Sequence, residues 1–212
     1  MKTIGIDIDG VLNDHCIHFC DVIYKLTKKI ISPADIVSIP VHKIDNLNVS
    51  LNEEMGVFHD ISYWEDMPPS INDFSFLSTV KSRMKIYIFT NRDWPQKKYL
   101  IQNKKLRDSW NNTTIRELTI NWLARHKIPY DKLYIERKTS VLKFLNSKNN
   151  RNEMARNNKI HYFVEDNYQN AEKLALYCSK VFLVRQPYNA NLSFNSDNII
   201  RVNDIQEIIN YI

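Results

Sequence analysis

Apolar positions along the chain fall into two kinds of run. Short, β-branched stretches that stop at polar residues occur at 3–8, 85–89, 160–164 and 181–184, with a shorter one at 133–135. Such stretches predict buried strands. Between them, apolar residues recur at helical spacing. Ile115, Leu118, Trp122 and Leu123 mark a helix over 114–126. Ala171, Leu174, Ala175 and Tyr177 mark another over 168–177, and Ile205, Ile208 and Ile209 a last one over 204–211. Strands alternating with helices of this length predict an α/β protein built on a parallel sheet.

Residues 13–80 break that rhythm. Phe19, Cys20, Ile23 and Leu26 lie on one face of a helix over 16–30. Ser32 followed by Pro33 is a helix start, and Ser50 with Glu53 forms a capping box for another helix. The sequence therefore predicts two units: a sheet-based core of 1–12 and 81–212, and a small helical cap, 13–80, inserted after the first strand. Residues 137–159 begin as a helix and continue as a polar, positive loop.

Composition then narrows the chemistry. Of 212 residues only 3 are glycine, where average usage predicts roughly 15. Gly5, Gly10 and Gly56 fit neither the dinucleotide fingerprint nor the P-loop, so phosphate must be held by another device. No apolar run approaches the ~20 residues that span a bilayer, and Asp7 and Asp9 arrive too early for a signal peptide. Three cysteines without a secretion signal predict a reducing, cytoplasmic setting. The net charge of +5 is uneven: residues 45–73 hold 7 acidic side chains and no Lys or Arg, whereas 81–159 hold 20 basic and 6 acidic. That basic stretch is either a solvated surface or a site for anionic partners.

The strand ends carry the reactive residues. Asp7 and Asp9 end the first strand, Thr90 and Asn91 the second, and Glu165 and Asp166 a later one. In a parallel α/β sheet the carboxyl ends of strands line the ligand crevice. Alternation places residues 7 and 9 on the same side of an extended chain, where two carboxylates repel unless a cation neutralises them. With Asp166 added, the set is oxygen-rich, as Mg²⁺ prefers.

These segments, I-G-I-D-I-D-G-V-L, I-Y-I-F-T-N-R, E-R-K-T-S-V and Y-F-V-E-D-N, resemble in order the motifs of the haloacid-dehalogenase-like (HAD) phosphohydrolase superfamily. The resemblance implies a Rossmann-like core and a Mg²⁺-dependent phosphomonoesterase. It implies that Asp7 forms an aspartyl-phosphate, and that Asp9 protonates the leaving oxygen and then activates water. Thr90 and the Asn91 backbone N–H would hold phosphoryl oxygens, and Lys138 would neutralise charge, with Lys159 the competing choice. Asp7, Asp166 and the backbone carbonyl of Asp9 would hold the metal, with Glu165 orienting Asp166.

A nearer resemblance is to 5′-nucleotidases of the 5′(3′)-deoxyribonucleotidase type. It is carried by G-V-F-H-D-I-S-Y-W-E-D-M-P-P, T-I-N-W-L-A-R-H-K-I-P-Y-D-K-L and V-F-L-V-R-Q-P-Y-N, and implies a small nucleotide substrate. Phe19, Phe58, Tyr63 and Trp64 are candidates to stack on a base, or simply pack the cap. Arg92 and Trp94 follow the second motif; Arg92 is a candidate to hold phosphate, or an ordinary surface ion pair. Alternatives left open are a phosphatase of nucleic-acid termini or of another small phosphometabolite, and a non-catalytic phosphate-binding protein. His15, Cys16, His18 and Cys20 could ligate zinc but lack a second ligand pair, and read as packing.

Overall fold

The computed structural model describes residues 1–92, 104–110, 113–135, 160–194 and 196–212. Among these, six strands form one sheet: β1 (Lys2–Asp7), β2 (Met84–Thr90), β3 (Lys132–Ile135), β4 (Tyr162–Glu165), β5 (Lys180–Val184) and β6 (Ile199–Val202). Their order is β3-β2-β1-β4-β5-β6, and every neighbouring pair is parallel. The central strands are apolar on both faces, as a sheet covered by helices on both sides requires. Ile4, Ile6, Ile86, Ile88, Phe163 and Val164 are fully buried. At Gly5 the Phe163 ring lies where a Cβ would project, and Phe89 closes in from the other side, so this position admits no side chain.

The helices are α1 (His15–Thr27), α2 (Leu51–His59), α3 (Ile61–Glu65), α4 (Phe76–Arg83), α5 (Lys104–Trp110), α6 (Ile115–Arg125) and α7 (Tyr168–Ala175). The expected capping box at Ser50 and Glu53 is present, and Ser32 caps a single 3-10 turn, Pro33–Asp35. The C-terminal helix is a 3-10 helix, Ile205–Asn210.

The helical segment leaves the sheet right after β1. The backbone N–H of Leu12 donates to the Ile8 carbonyl at 2.9 Å, and the chain then enters α1. It returns beside its own exit, with Asp14 N–H donating to Pro68 O (3.0 Å) and Ser70 N–H to Leu12 O (2.9 Å). The segment is fastened to neighbouring helices by indole donors: Trp122 Nε1 to Met67 O (2.6 Å) and Trp110 Nε1 to His59 O (2.9 Å). Phe19, Cys16, Tyr63 and Trp64 join the same apolar cluster as the sheet residues Ile4, Ile6 and Ile88. Helix α4 packs on β2.

Candidate active site

The order of the sheet reverses at β1: β2 and β3 lie to one side, β4 to β6 to the other. Ligands of open α/β sheets bind at such a point, beyond the carboxyl ends of the strands. Asp7 ends β1 and Glu165 ends β4, each one residue past the Ile6–Val164 pair. Carboxylate oxygens of Asp7, Glu165 and Asp166 all come within 4.8 Å of one another, the one such group of potential metal ligands among the described residues. Glu165 and Asp166 are buried and Asp7 partly so.

This crowding raises the affinity of each group for protons. Burial pushes Asp7 well above the usual carboxylate range, and the neighbouring charges of Glu165, Asp166 and Asp9 push it further. Burial, then Asp166, pushes Glu165 up to about 8, although its Oε1 accepts from the Asn167 backbone and from Asn170 Nδ2. Asp166 is also raised, by burial, despite a hydrogen bond from the Tyr188 hydroxyl. A buried, all-oxygen, mutually repelling donor set suits a hard divalent cation.

Asp9 lies in a different environment. Arg92 Nη2 donates to its Oδ1 at 2.5 Å and Arg92 Nε to its Oδ2 at 2.9 Å. Asn13 Nδ2 donates to Oδ1 at 2.9 Å, and the Thr90 hydroxyl to Oδ2 at 3.1 Å. Burial alone would raise Asp9, but the charge and hydrogen bonds of Arg92, with Asn13, outweigh it and hold the carboxyl below its usual range.

Gly10 joins the two regions. It has φ of +79°, a left-handed backbone, and a Cβ there would overlap the Asp166 carboxylate and the Tyr188 hydroxyl. Its N–H donates to Asn13 Oδ1 (3.1 Å), and its carbonyl accepts from Gln186 Nε2 (2.8 Å). Behind Asp166, the fully buried Asn189 donates from Nδ2 to the carbonyls of Asp166 (2.7 Å) and Val184 (2.8 Å).

The structure thus brings together Asp7, Asp9, Thr90, Arg92 and Asp166, with Asn91 exposed next to Thr90. Lys138, Lys159 and Trp94 lie outside the described residues, as does the basic loop at 146–159. Phe19, Tyr63 and Trp64 are buried against one another and Phe58, with Tyr63 and Trp64 edge to face at 4.9 Å; Phe58 alone of the four is only partly buried. Trp64 turns its ring to the Arg92 guanidinium, 5.2 Å away. Arg92 is only 2% exposed, so the ion pair is partly buried, its guanidinium enclosed and the Asp9 side chain 29% exposed, and not an ordinary surface pair. Cys16 and Cys20 pack in the helical segment with thiols pushed up by burial, Cys20 to about 11, and His18 faces the Ser62 carbonyl. Sequence reasoning missed Asn13, Tyr188 and Asn189. The P-Y-N run had marked the last two only as part of a loop.

No family model matches the sequence. The chain is 26% identical over 216 residues, 95% of its length and 93% of the relative's, to Nucleotidase CA_C3379 of Clostridium acetobutylicum. Among solved structures it resembles a haloacid dehalogenase-like family hydrolase, SP0104, from Streptococcus pneumoniae (TM-score 0.55, 12% identity, 100% of this chain and 98% of that one). It also resembles the HAD-hydrolase YfnB from Bacillus subtilis, solved bound to magnesium (TM-score 0.56, 7% identity, 99% and 97%). With the strand order and the motif-bearing strand ends, these likenesses agree with the resemblance read from the sequence. The chain has the fold of the haloacid-dehalogenase-like hydrolases.

Proposed function

We propose that this protein is a Mg²⁺-dependent phosphomonoesterase acting on small nucleoside monophosphates. The observation that carries the reading is the meeting of Asp7, Glu165 and Asp166 at the sheet's switch point, beside a separately held Asp9. The similarity to a nucleotidase over nearly the whole chain favours a nucleotide substrate.

In this reading an Asp7 oxygen attacks phosphorus, the ester P–O bond breaks, and Asp9 gives the leaving oxygen a proton. Water then attacks the aspartyl-phosphate while Asp9 takes a proton back, which splits one difficult hydrolysis into two displacements. The Thr90 hydroxyl and the Asn91 N–H hold phosphoryl oxygens, and Lys138 neutralises charge there. Fixed donors and cations of this kind lower the barrier by stabilising developing charge. Asp7, Asp166 and the Asp9 carbonyl would hold the magnesium, with Glu165 at the same cluster. When bound, the ion supplies the positive charge that offsets the carboxylates and the phosphoryl oxygens.

Residues 13–80 serve as the cap, with Phe58 its most accessible candidate to meet a base. Among the described residues no helix is long and apolar enough to cross a membrane. A cytoplasmic enzyme acting on free nucleotides fits three buried cysteines.

The test is release of phosphate from a panel of nucleoside monophosphates with Mg²⁺. Asp7→Asn is expected to lower turnover by at least about 10³-fold, because it removes the nucleophile on which both displacements depend. An Asp7→Asn protein as active as wild type, or a wild type inert on every monophosphate, refutes the reading.

A further inference from the structure

We propose that Arg92 is a positioning residue. Together with Asn13 it locks the Asp9 carboxylate so that Oδ2, and not Oδ1, exchanges the proton with the substrate. This rests on the phosphatase reading above and departs from a role for Arg92 in holding phosphate.

The guanidinium is held on three sides. Nε and Nη2 grip Asp9, and Nη1 donates to Thr119 Oγ1 at 3.2 Å. Thr119 is fully buried on α6 and fixed in turn by donating to the Ile115 carbonyl at 2.7 Å. The Trp64 ring from the helical segment covers the guanidinium face. A side chain 1% exposed and bonded at all three nitrogens has no freedom to swing out to a ligand. Its planar fork therefore dictates the plane of the Asp9 carboxylate.

A carboxylate offers about four lone-pair positions. On Oδ1 they are taken by Arg92 Nη2 and Asn13 Nδ2, and Asn13 is itself fully buried and anchored to the Gly10 N–H. On Oδ2 they are taken by Arg92 Nε, which also reaches Oδ1 at 3.2 Å, and by the Thr90 hydroxyl. Three of these four donors are fixed nitrogen donors. The fourth is a hydroxyl that rotates freely. A phosphoryl oxygen that recruits the Thr90 hydroxyl frees one position on Oδ2, and there alone a proton can lodge or leave. Proton transfer by Asp9 is thereby tied to occupancy of the phosphate site. In the first displacement the proton passes from Oδ2 to the ester oxygen as the P–O bond breaks. In the second it returns to Oδ2 from the attacking water.

The test compares a nucleoside monophosphate, whose alkoxide must be protonated as it leaves, with p-nitrophenyl phosphate, whose leaving group needs no proton. Because kcat/KM reports steps up to leaving-group release, it isolates the first proton transfer. Arg92→Lys keeps the charge but loses the fork. We expect kcat/KM for the nucleotide to fall about 30- to 100-fold, within the range attributed to general acid catalysis. The fall on p-nitrophenyl phosphate should stay below about 5-fold, and the inhibition constant of inorganic phosphate should not change. Thr119→Val, a gentler change that removes one anchor of the guanidinium, should give the same split at a few-fold and decides the question if Arg92→Lys does not fold. Equal losses on the two esters, or phosphate inhibition that weakens in step with activity, overturn the inference while leaving the phosphatase reading standing. A wild type that releases phosphate from neither ester overturns both.

Discussion

The acidic cluster predicts that removing a charge at the site stabilises the metal-free protein, in a direction set by pH. Burial and Asp166 move Glu165 from its ordinary 4.5 to about 8. Between those two values the unfolded chain has released the proton and the folded chain still holds it. Stability therefore falls as pH rises through this window and levels off above about 8. At 1.36 kcal/mol per unit, the penalty at pH 7 is at most about 3 kcal/mol, and at pH 5 it is below about 1 kcal/mol. Glu165→Gln keeps an oxygen for the Asn167 and Asn170 donors and removes the titration. With EDTA present, its melting temperature should exceed that of wild type by roughly 6–12 °C at pH 7, for a chain of this size, and by no more than about 4 °C at pH 5. Mg²⁺ should narrow the difference. At a hundredfold excess over Kd, the wild type gains about 2.7 kcal/mol, and the variant, with one carboxylate fewer at the cluster, gains less. Thermal melts at both pH values, with EDTA and with Mg²⁺, read all of this. A Gln variant less stable than wild type in EDTA, or a difference that does not change with pH, refutes the argument.

Two further outcomes follow from residues that shape the site. Gly10→Ala should cost about 1–2 kcal/mol for the left-handed backbone alone. Its Cβ would also displace the Asp166 carboxylate, so the Mg²⁺-dependent rise in melting temperature should vanish; a variant that keeps the rise contradicts the packing seen there. Asn189→Leu leaves the carbonyls of Asp166 and Val184, the Gln186 N–H and Arg201 Nη1 each short of a partner. Urea unfolding should show a loss of about 3 kcal/mol, and a loss under about 0.5 kcal/mol contradicts it.

What could be read in advance follows the physics of each element. Strands β1, β2, β4 and β5 are buried on both faces, so their apolar runs are continuous and plain in the sequence. Strand β6 escaped because it is four residues at the sheet edge with Arg201 inside it, and that arginine bonds backwards to Asn189 and Leu192. The helix at Ile115–Arg125 was legible from its apolar spacing, and its start is fixed by a capping box of Thr114 and Glu117. The reactive carboxylates were legible because they stand at strand ends. Tyr188 and Asn189 were not, since their bonds to Asp166 join segments far apart in sequence and no local pattern marks them; Asn13 was not, although Asp9 and Gly10 are close in sequence, because only the turn after β1 aims its side chain back at them. Arg92 was visible as a charge near the site, but its direction depends on Trp64 and Thr119, which only the fold brings to it.

The two aspartates of the D-I-D run were expected on one side of the chain, repelling each other. The structure changes that picture, because β1 ends at Asp7 and the chain turns at once through Ile8 to Asn13. Asp7 then faces the end of β4 and joins Glu165 and Asp166, whereas Asp9 faces the end of β2 and meets Arg92 and Thr90. Neighbouring strands lie about 4.8 Å apart, so carboxylates at adjacent strand tips crowd as a consequence of the sheet order itself. On the β4 side the described residues gather three carboxylates, offset in part by the Tyr188 hydroxyl and the charge of His15 at Asp166, and a bound cation would supply the rest of the balance. On the β2 side Arg92 supplies the balancing charge from within. One short motif thus yields a carboxyl raised by its surroundings and another lowered, two residues apart. These opposite shifts belong to the cation-free site: a divalent ion at the cluster would offset the repulsion that raises Asp7 and return it to the carboxylate a nucleophile needs. Both shifts follow from β1 standing between a strand that ends in acids and a strand that ends in Thr-Asn-Arg.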